Sequence, residues 1–325
     1  MMRSFKVLVP QPIAKEGIDY LEENGCEAIV PDKYDSETLI ERVKDCHAIL
    51  VRTAEINRDI IEKGKELQII ARHGVGLDNV DIQAATENNI FVCNAPAANI
   101  NSVAEHVVGL MLAVSHQIVK GDHAVREGDY QARNRYIGSE LSSKTLGLIG
   151  LGNIGKLVAK KCALGFDMNV VAYDPFIKKV DENYITLEPS LEKLVSQADF
   201  LSLHVPYVPE LHHVINREMF EKMKETSFLI NAARGGLVDE QALYEALASN
   251  KIAGAALDCF EQEPTPMDHP LWKLDNVVLT PHMAAHTEEA MIRMAMDPAK
   301  EIVRVKNKQE PIVCVNREFL KQDSF

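Results

Sequence analysis

The sequence lacks paired cysteines. Its six cysteines, at positions 26, 46, 93, 162, 259 and 314, are scattered through the 325-residue chain, and no C-x-x-C pair occurs. Most of them lie within apolar runs, so they are typical of reduced core residues. The distribution argues against a disulfide framework and against a zinc site, and we expect a cytoplasmic protein without a bound metal.

Long hydrophobic runs are absent too. No stretch approaches 18 uninterrupted apolar residues, and the apolar run at the N-terminus is too short for a secretion signal. We therefore expect no transmembrane span. No internal repeat or low-complexity tract is present either.

Positive charge is scarce: 35 Lys and Arg residues stand against 48 Asp and Glu residues, a formal net charge of −13. This excess argues against nucleic acid and anionic membranes as partners. It leaves room for an anionic substrate, because a small substrate responds only to local charge.

What the chain does contain is an ordinary globular composition, 46% hydrophobic and 26% charged, with alternating strand and helix patterns. Short apolar runs at 6–10, 28–30, 48–52, 68–72 and 90–94 alternate with helical segments. A second series of apolar runs begins near residue 145. We predict an α/β fold with two doubly wound parallel-sheet domains, formed by residues 1–100 with 292–325 and by residues 101–291.

A long helix is predicted between the two series, at 102–126. Ser102 followed by Glu105 has the spacing of a capping box at its start. Gly128 lies just past its expected end, where a helix stop is common.

A glycine-rich segment opens the second series. Gly150, Gly152 and Gly155 have the spacing G-x-G-x-x-G between a predicted strand at 146–149 and a predicted helix at 156–164. The first glycine permits a tight turn, the second lets the backbone approach a pyrophosphate, and the third lets the helix pack on the strand. Asn153 and Ile154 would add amides of the helix N-terminus, which favours negative charge. The segment predicts a dinucleotide-binding domain.

Asp174 ends the next apolar run, nineteen residues beyond Gly155. A carboxylate there can accept hydrogen bonds from both ribose hydroxyls and would repel a 2′-phosphate, so NAD is the expected cofactor. Lys178 and Lys179 nearby leave NADP open.

Three further blocks carry residues for chemistry. Arg234 lies in Asn231–Asp239 (NAARGGLVD), Glu263 in Ala256–Pro264 (ALDCFEQEP) and His282 in Leu279–His286 (LTPHMAAH). Each block follows a predicted strand, at the sheet edge where open α/β folds bind ligands. An arginine can bind a carboxylate and polarise a carbonyl, while a histidine paired with a carboxylate can transfer a proton.

With its three blocks in this order and spacing, the chain resembles the D-isomer-specific 2-hydroxyacid dehydrogenase family over essentially its whole length, particularly the phosphoglycerate dehydrogenase and hydroxypyruvate reductase branch. The resemblance implies a Rossmann NAD-binding domain inserted into a flavodoxin-like substrate domain, a cleft and hinge between them, and a homodimer built partly on the helix at 102–126. It implies reduction of a small 2-keto acid, or oxidation of the 2-hydroxy acid.

The resemblance also implies roles for single residues. Arg234 would bind and polarise substrate, His282 would be the acid/base, and Glu263 would be its partner. The expected cofactor residues besides the glycine segment and Asp174 are His204, Val205, Pro206, Ala232, Ala233 and Asp258. The expected substrate residues are Arg52, Arg72, His73, Val75, Gly76 and Asn99. Histidines such as His106 are assigned to surface or core.

Two positions depart from the family pattern. His73 precedes the glycine turn where the family more often has a small residue, and His286 occupies a position that is usually small or hydroxylated. Either adds a donor to the substrate or fills space. Arg52, Arg72 and His73 would form a locally basic pocket, with Arg133 or Arg135 as further candidates, so we hypothesise a substrate with a second anionic or strongly polar group, such as 3-phosphoglycerate or hydroxypyruvate.

Two other functions remain open. An NAD-sensing, corepressor-like binding protein of this superfamily would keep the same arginine, glutamate and histidine. A D-lactate-type dehydrogenase would take a smaller, apolar-tailed substrate. The compact length and the expected lack of a disordered tail favour an enzyme, and the arginines disfavour the lactate type.

Overall fold

The computed structural model describes residues 4–320. Residue contacts divide the chain into two compact units: one holds the chain up to Asn99 together with the part from His286 onward, and the other is Ile100–Ala285. The domain bounds drawn from the sequence remain a prediction, and the one between 291 and 292 would cut a helix, Glu288–Lys306.

The first unit alternates strands and helices up to Asn99. In chain order its elements are β1 (Phe5–Leu8), α1 (Lys15–Glu23), β2 (Cys26–Ile29), α2 (Ser36–Val43), β3 (Ala48–Val51), α3 (Arg58–Lys63), β4 (Ile69–Arg72), α4 (Ile82–Glu87) and β5 (Phe91–Cys93).

The second unit begins with two helices and continues as a longer alternation. Its elements are α5 (Ile100–Ser115), α6 (Ile118–Arg126), β6 (Thr145–Ile149), α7 (Asn153–Phe166), β7 (Asn169–Tyr173), β8 (Ile185–Leu187), α8 (Leu191–Gln197), β9 (Phe200–Leu203), α9 (Arg217–Lys222), β10 (Phe228–Asn231), α10 (Glu240–Ala248), β11 (Gly254–Leu257) and β12 (Val277–Leu279). The helix α11 (Glu288–Lys306) then returns to the first unit.

Both sheets are parallel. The first has the order β2-β1-β3-β4-β5, which is the flavodoxin-like order. The second has the order β12-β11-β10-β9-β6-β7-β8; counted from β6 as strand 1 it contains the 3-2-1-4-5-6 order of dinucleotide-binding sheets, with one strand more. The predicted fold class is confirmed.

Each sheet is covered on both faces by apolar side chains. In the first unit one core cluster joins the sheet to α2, α3 and α4, and another joins it to α1 and α11. In the second unit α5 and α7 cover one face, and α8, α9 and α10 cover the other. Strands buried on both sides explain the continuous apolar runs in the sequence.

Two local predictions are wrong. The single helix at 102–126 is two helices, α5 and α6, which meet at a 62° bend. The capping box is absent because α5 begins at Ile100, so Ser102 already lies inside it. Ser102 donates to the carbonyl of Ala284 instead, and Glu105 accepts from Asn101 and Lys161.

The break between α5 and α6 follows from tertiary contacts. Gln117 has a left-handed backbone (φ 54°), and the N–H of Ser139 donates to the carbonyl of Ser115 at 2.8 Å. A returning chain segment therefore satisfies a carbonyl that a continued helix would have used. The predicted stop is confirmed for α6, since Gly128 follows it with φ 80°.

Among residues 4–320 no single helix is long and apolar enough to cross a membrane; α5 and α6 reach the required length and hydropathy only as a bent pair. Half of the residues of α5, eight of sixteen, are buried in the fold, so the apolar face of α5 belongs to the protein core.

The short strand β8 lies outside the predicted strands. It contributes three residues, one of them the polar Thr186, to the edge of the second sheet. So short a segment carries no periodic pattern, and only its pairing with β7 defines it as a strand.

Candidate active site

The predicted site residues that follow the strands of the second unit lie at the carboxyl ends of its sheet, whereas Arg135 lies near Lys144, Asp199 and Phe228 at the opposite ends. Asn231, Leu257 and Leu279 are paired in register at the carboxyl ends of β10, β11 and β12. Parallel strands bring their carboxyl ends to the same edge, so the segments that carry Arg234, Asp258 and His282 leave the sheet side by side. The glycine segment leaves it next to β9, after Ile149.

The glycine segment has the geometry that its spacing predicts. Gly150 has φ 92°, and a Cβ on it would lie 2.6 Å from the carbonyl oxygen of His204. A Cβ on Gly155 would lie 2.5 Å from the carbonyl oxygen of Gly150. A Cβ on Gly152 would meet no protein atom within 4 Å. Gly150 and Gly155 are therefore required by the fold, whereas Gly152 leaves open space beside the start of α7.

That open space fits a pyrophosphate. The amides of Asn153, Ile154 and Gly155 lie in the first turn of α7, where a helix offers them no internal acceptor. Helix N-termini with close backbone access bind phosphate groups well. Asp174 lies at the end of β7, where its two carboxylate oxygens accept from the amides of Leu151 and Phe176 at 3.0 Å each. These bonds orient the carboxylate beside the glycine segment.

The turn after β9 lies beside Gly150. The side chain of Val205 is one of the groups that a Cβ on Gly150 would strike, at 2.7 Å. His204 Nε2 is 3.0 Å from the hydroxyl of Ser202, and burial lowers the pKa of His204 to about 4. The imidazole of His204 is therefore neutral near pH 7. Pro206 follows at an exposed position.

The turn that carries Arg234 is shaped by Asn231, the last residue of β10. The buried Asn231 side chain donates to the carbonyl of Arg234 at 2.9 Å and accepts from the amide of Ala233 at 3.0 Å. Arg234 Nη1 donates to the carbonyl of Ala233 at 2.7 Å. Ala232 completes this tight turn at the strand end. The sequence marked the block but not the part played by Asn231.

Glu263 and His282 form the pair that the family resemblance implies. His282 Nδ1 lies 2.7 Å from Glu263 Oε2, and Glu263 Oε1 accepts from the amide of Phe260 at 2.9 Å. The hydrogen bond to Glu263 raises the pKa of His282, against the opposing effect of burial. Burial would raise the pKa of Glu263, but the bonds from His282 and Phe260 outweigh it and lower that pKa. The pair therefore favours an imidazolium beside a carboxylate.

Asp258 holds the loop that carries His282. It is 1% exposed, and it accepts from the hydroxyl of Thr280 at 2.6 Å, from the amide of Met283 at 2.9 Å and from the amide of Ala284 at 2.8 Å. Burial would raise the pKa of Asp258, but the contacts with His106, Thr280 and the two amides outweigh it and lower that pKa. Its expected contact with the nicotinamide stays a prediction.

His106 is a site neighbour that the sequence does not reveal. Its Nε2 lies 3.1 Å from the Thr280 hydroxyl and 3.4 Å from Asp258 Oδ1. Sequence reasoning places it only in the surface or core class. The one available signal is its spacing of four residues from Ser102, which puts both on one face of α5.

In the first unit, a short loop after β4 carries the predicted carboxylate-binding amides. Gly74 has φ 131°, its carbonyl accepts from the amide of Ala95, and the carbonyl of Val75 accepts from Asn94. Within residues 4–320 the amides of Val75 and Gly76 have no hydrogen-bond acceptor. Two successive amides of this kind suit an anion.

The predicted arginines of the first unit have defined contacts. Arg52 Nη2 donates to His286 Nε2 at 2.7 Å, so His286 contacts an expected substrate residue. Arg72 donates to the carbonyl of His73 and lies 3.4 Å from Asn79. In the second unit Arg135 pairs with Asp129, and Arg133 lies over the ring of Tyr130.

His73 adds no positive charge to this region. It is 2% exposed, and burial, followed by the positive charge of Arg52, lowers its pKa to about 4. The expectation that His73 makes a pocket more basic is therefore wrong, because the ring is neutral near pH 7. Its Nε2 and the Oδ1 of Asn99 are buried and have no hydrogen-bond partner among residues 4–320.

Within the described part of the chain no group of three or more histidine, cysteine, aspartate or glutamate side chains could hold a metal ion. The six cysteines are free thiols, five of them buried.

A model of a known protein family matches this chain at residues 108–284; its description is "D-isomer specific 2-hydroxyacid dehydrogenase, NAD binding domain". These residues lie within the second unit and include its glycine segment, Arg234, Glu263 and His282. The match identifies this unit as an NAD-binding domain.

Curated relatives cover most of the chain. A D-3-phosphoglycerate dehydrogenase of Archaeoglobus fulgidus is 46% identical over 92% of this chain, and the chain spans only 57% of that relative's length. A hydroxypyruvate reductase of Thermotoga maritima is 42% identical over 93% of this chain and 99% of its own length. Among solved structures, the TT0316 protein from Thermus thermophilus has a TM-score of 0.90 and 35% identity, over 95% of this chain and 99% of its own.

Proposed function

Because the chain belongs to the D-isomer-specific 2-hydroxyacid dehydrogenase family, we propose that it interconverts a small 2-hydroxy acid and its 2-keto acid. The 2.7 Å contact between His282 and Glu263 carries this proposal. It joins an acid/base to a carboxylate in the unit that binds NAD. The proposed substrates are polar or anionic, with 3-phosphoglycerate and glycerate, or hydroxypyruvate in the reverse direction, as the candidates.

The proposed proton transfer follows from the pair. In reduction, the His282 imidazolium protonates the oxygen of the former carbonyl, and Glu263 keeps the ring charged and oriented. In oxidation, the neutral ring takes the proton of the hydroxyl. Bound NAD supplies the acceptor or donor of hydride at its nicotinamide. Arg234 is the proposed group that binds the substrate carboxylate and polarises the carbonyl.

Residues of the first unit are proposed to bind substrate. The acceptor-free amides of Val75 and Gly76 support a carboxylate site. The unpartnered Oδ1 of Asn99 and Nε2 of His73 support a polar ligand. Arg52 and Arg72 supply positive charge in a protein with a net charge of −13, which supports a second anionic or hydroxylated group on the substrate.

We propose that the cofactor-binding residues are those of the glycine segment, Asp174, the turn at His204 to Pro206, the alanines beside Arg234, and Asp258. The oriented carboxylate of Asp174 supports NAD over NADP, because a 2′-phosphate would meet like charge there.

We further propose a homodimer. The exposed apolar side chains of α6 and of the segment that follows it support this: Ile118, Val119, Val125, Tyr130 and Ile137. A second copy of the chain would cover them, and exposed apolar side chains of this kind are common at protein–protein interfaces. The cytoplasmic location stays a prediction.

One assay tests the function. NADH oxidation is followed with hydroxypyruvate, phosphohydroxypyruvate, glyoxylate and pyruvate, and repeated with NADPH. We expect turnover with NADH and a preference for the hydroxylated or phosphorylated acids. NADH binding without turnover of any 2-keto acid would favour an NAD-sensing binding protein, and a preference for pyruvate would favour a D-lactate-type dehydrogenase.

The variant His282→Asn tests the acid/base. We expect turnover to fall by about 10²–10⁴-fold, the usual contribution of a general acid or base. NADH affinity, measured by fluorescence titration, stays close to that of the parent protein, because His282 acts on the substrate. Retention of full turnover by this variant would remove the proposed role.

A further inference from the structure

The loop that carries His282 adopts a conformation that its own sequence does not favour. His282 has φ 49°, in the left-handed region that non-glycine residues rarely occupy. A residue in this conformation is strained and persists only where its surroundings hold it. The position of the imidazole therefore depends on whatever holds the residues on either side of it.

The second unit holds this loop from two directions. Asp258 binds it from the end of β11, through Thr280 before His282 and through Met283 and Ala284 after it. Two residues of α5, Ser102 and His106, contact Ala284 and Thr280 from the side of the helix. Ser102 donates to the carbonyl of Ala284 at 2.7 Å.

His106 supplies the second contact from α5. The hydroxyl proton of Thr280 points to Asp258 Oδ1, at 2.6 Å, so the hydroxyl oxygen can accept from His106 Nε2 at 3.1 Å. This assignment requires the proton of His106 to be on Nε2. The ring also lies 3.4 Å from Asp258 Oδ1. His106 therefore fixes both the threonine and the aspartate that hold the loop.

We propose that Ser102 and His106 are positioning residues for His282. They lie four positions apart on one face of α5, and each contacts the loop within two residues of His282. The helix thus sets the direction of the imidazole toward substrate without touching substrate itself. The expected effect on kcat rests on the proposed dehydrogenase function. The expected effect on the position of the imidazole rests on the contacts alone.

Two variants remove the contacts and two serve as controls. Ser102→Ala removes the hydroxyl from the carbonyl of Ala284. Its matched control is Ser115→Ala, since Ser115 is a buried serine of the same helix whose Oγ has no hydrogen-bond partner among residues 4–320. His106→Leu removes the donor to Thr280. Its control is His106→Gln, because the glutamine amide can place a donor where Nε2 is.

We expect Ser102→Ala and His106→Leu to lower kcat by about 10–100-fold, the effect of a small misplacement of a catalytic group. NADH affinity and the KM for the keto acid stay near those of the parent, while Ser115→Ala and His106→Gln keep the parent kcat. If the helix had only a structural role, Ser102→Ala and Ser115→Ala would affect kcat alike, and His106→Gln would not keep the kcat of the parent protein. Unchanged kcat in both Ser102→Ala and His106→Leu would overturn the proposal.

A second measurement does not depend on turnover. In protein labelled with ¹⁵N-histidine, the Nδ1 resonance of His282 reports its hydrogen bond to Glu263. We expect this resonance to shift or broaden in Ser102→Ala and to stay in place in Ser115→Ala. If the parent protein reduces no 2-keto acid, the proposed function fails and this resonance decides the positioning role alone: an unchanged resonance in Ser102→Ala overturns it.

Discussion

At the scale of single residues, the hydrogen bond to Glu263 raises the pKa of His282. The variant Glu263→Gln removes the charge that raises the pKa of the imidazole, so that pKa falls. Reduction needs the imidazolium. As the pH rises, the variant therefore loses its reductase activity at a lower pH than the parent protein does. Oxidation needs the neutral ring, so its acidic limb also moves to lower pH. The pH profile of kcat/KM in each direction measures both shifts.

Glu261→Gln is the control for this prediction. It removes the same charge from the same loop, but the carboxylate of Glu261 contacts the backbone amide of Glu240 and the ring of His213. We expect its profile to match that of the parent. Equal profiles for Glu263→Gln and the parent would mean that Glu263 does not hold the proton of His282.

A side chain at Gly152 is expected to affect cofactor binding but not folding. A Cβ there meets no protein atom within 4 Å, so Gly152→Ala should fold with unchanged thermal stability. The methyl group would occupy space beside the amides of α7, and we expect NADH affinity to fall by about tenfold or more, which corresponds to about 1.4 kcal/mol.

Gly165→Ala on the same helix is the control, since a Cβ there is equally unobstructed. It should leave NADH affinity unchanged. Both affinities follow from fluorescence titration, and equal binding by the two variants would contradict a pyrophosphate site at Gly152.

At the scale of elements, the break between α5 and α6 depends on the chain that returns at Gly138. A Cβ on Gly138 would lie 2.9 Å from the Cα of His116 and from the carbonyl oxygen of Ser115. We expect Gly138→Ala to lower the free energy of unfolding by about 1–3 kcal/mol, the usual effect of overpacking. Gly109→Ala should not lower this free energy, because a Cβ on Gly109 of α5 would meet no atom of a neighbouring segment within 4 Å. Denaturant unfolding of both variants checks this, and equal midpoints would refute the role of the returning chain.

At the scale of the whole molecule, the apolar surface of the second unit bears on assembly. Val125 and Ile137 are 60% and 78% exposed. We expect the double variant Val125→Asp, Ile137→Asp to be monomeric, because it adds negative charge and polarity to the proposed interface of a chain that already carries −13. Leu164→Asp, at a site 63% exposed on α7, should remain a dimer. Sedimentation equilibrium measures the masses; a parent that is itself monomeric would contradict the proposal.

The cofactor class, the fold class and the proximity of His282 to Glu263 could be predicted from the sequence. Glycines, short buried strands and an acidic residue at a fixed distance are local patterns, and strands that alternate with helices must form a parallel sheet. The carboxyl ends of such strands share one edge. Residues as distant in sequence as Glu263 and His282 could therefore be placed together from the sequence.

The remaining features depend on tertiary contacts. Neither proline nor glycine marks the end of α5; a bond from Ser139 does. His106 lies 174 residues from Thr280, and no local pattern connects them. The pKa of His73 depends on burial and on Arg52, which lies on another strand end. Contacts between distant side chains depend on how elements pack. For that reason the sequence could pair His282 with Glu263 but could not place His106 beside Thr280.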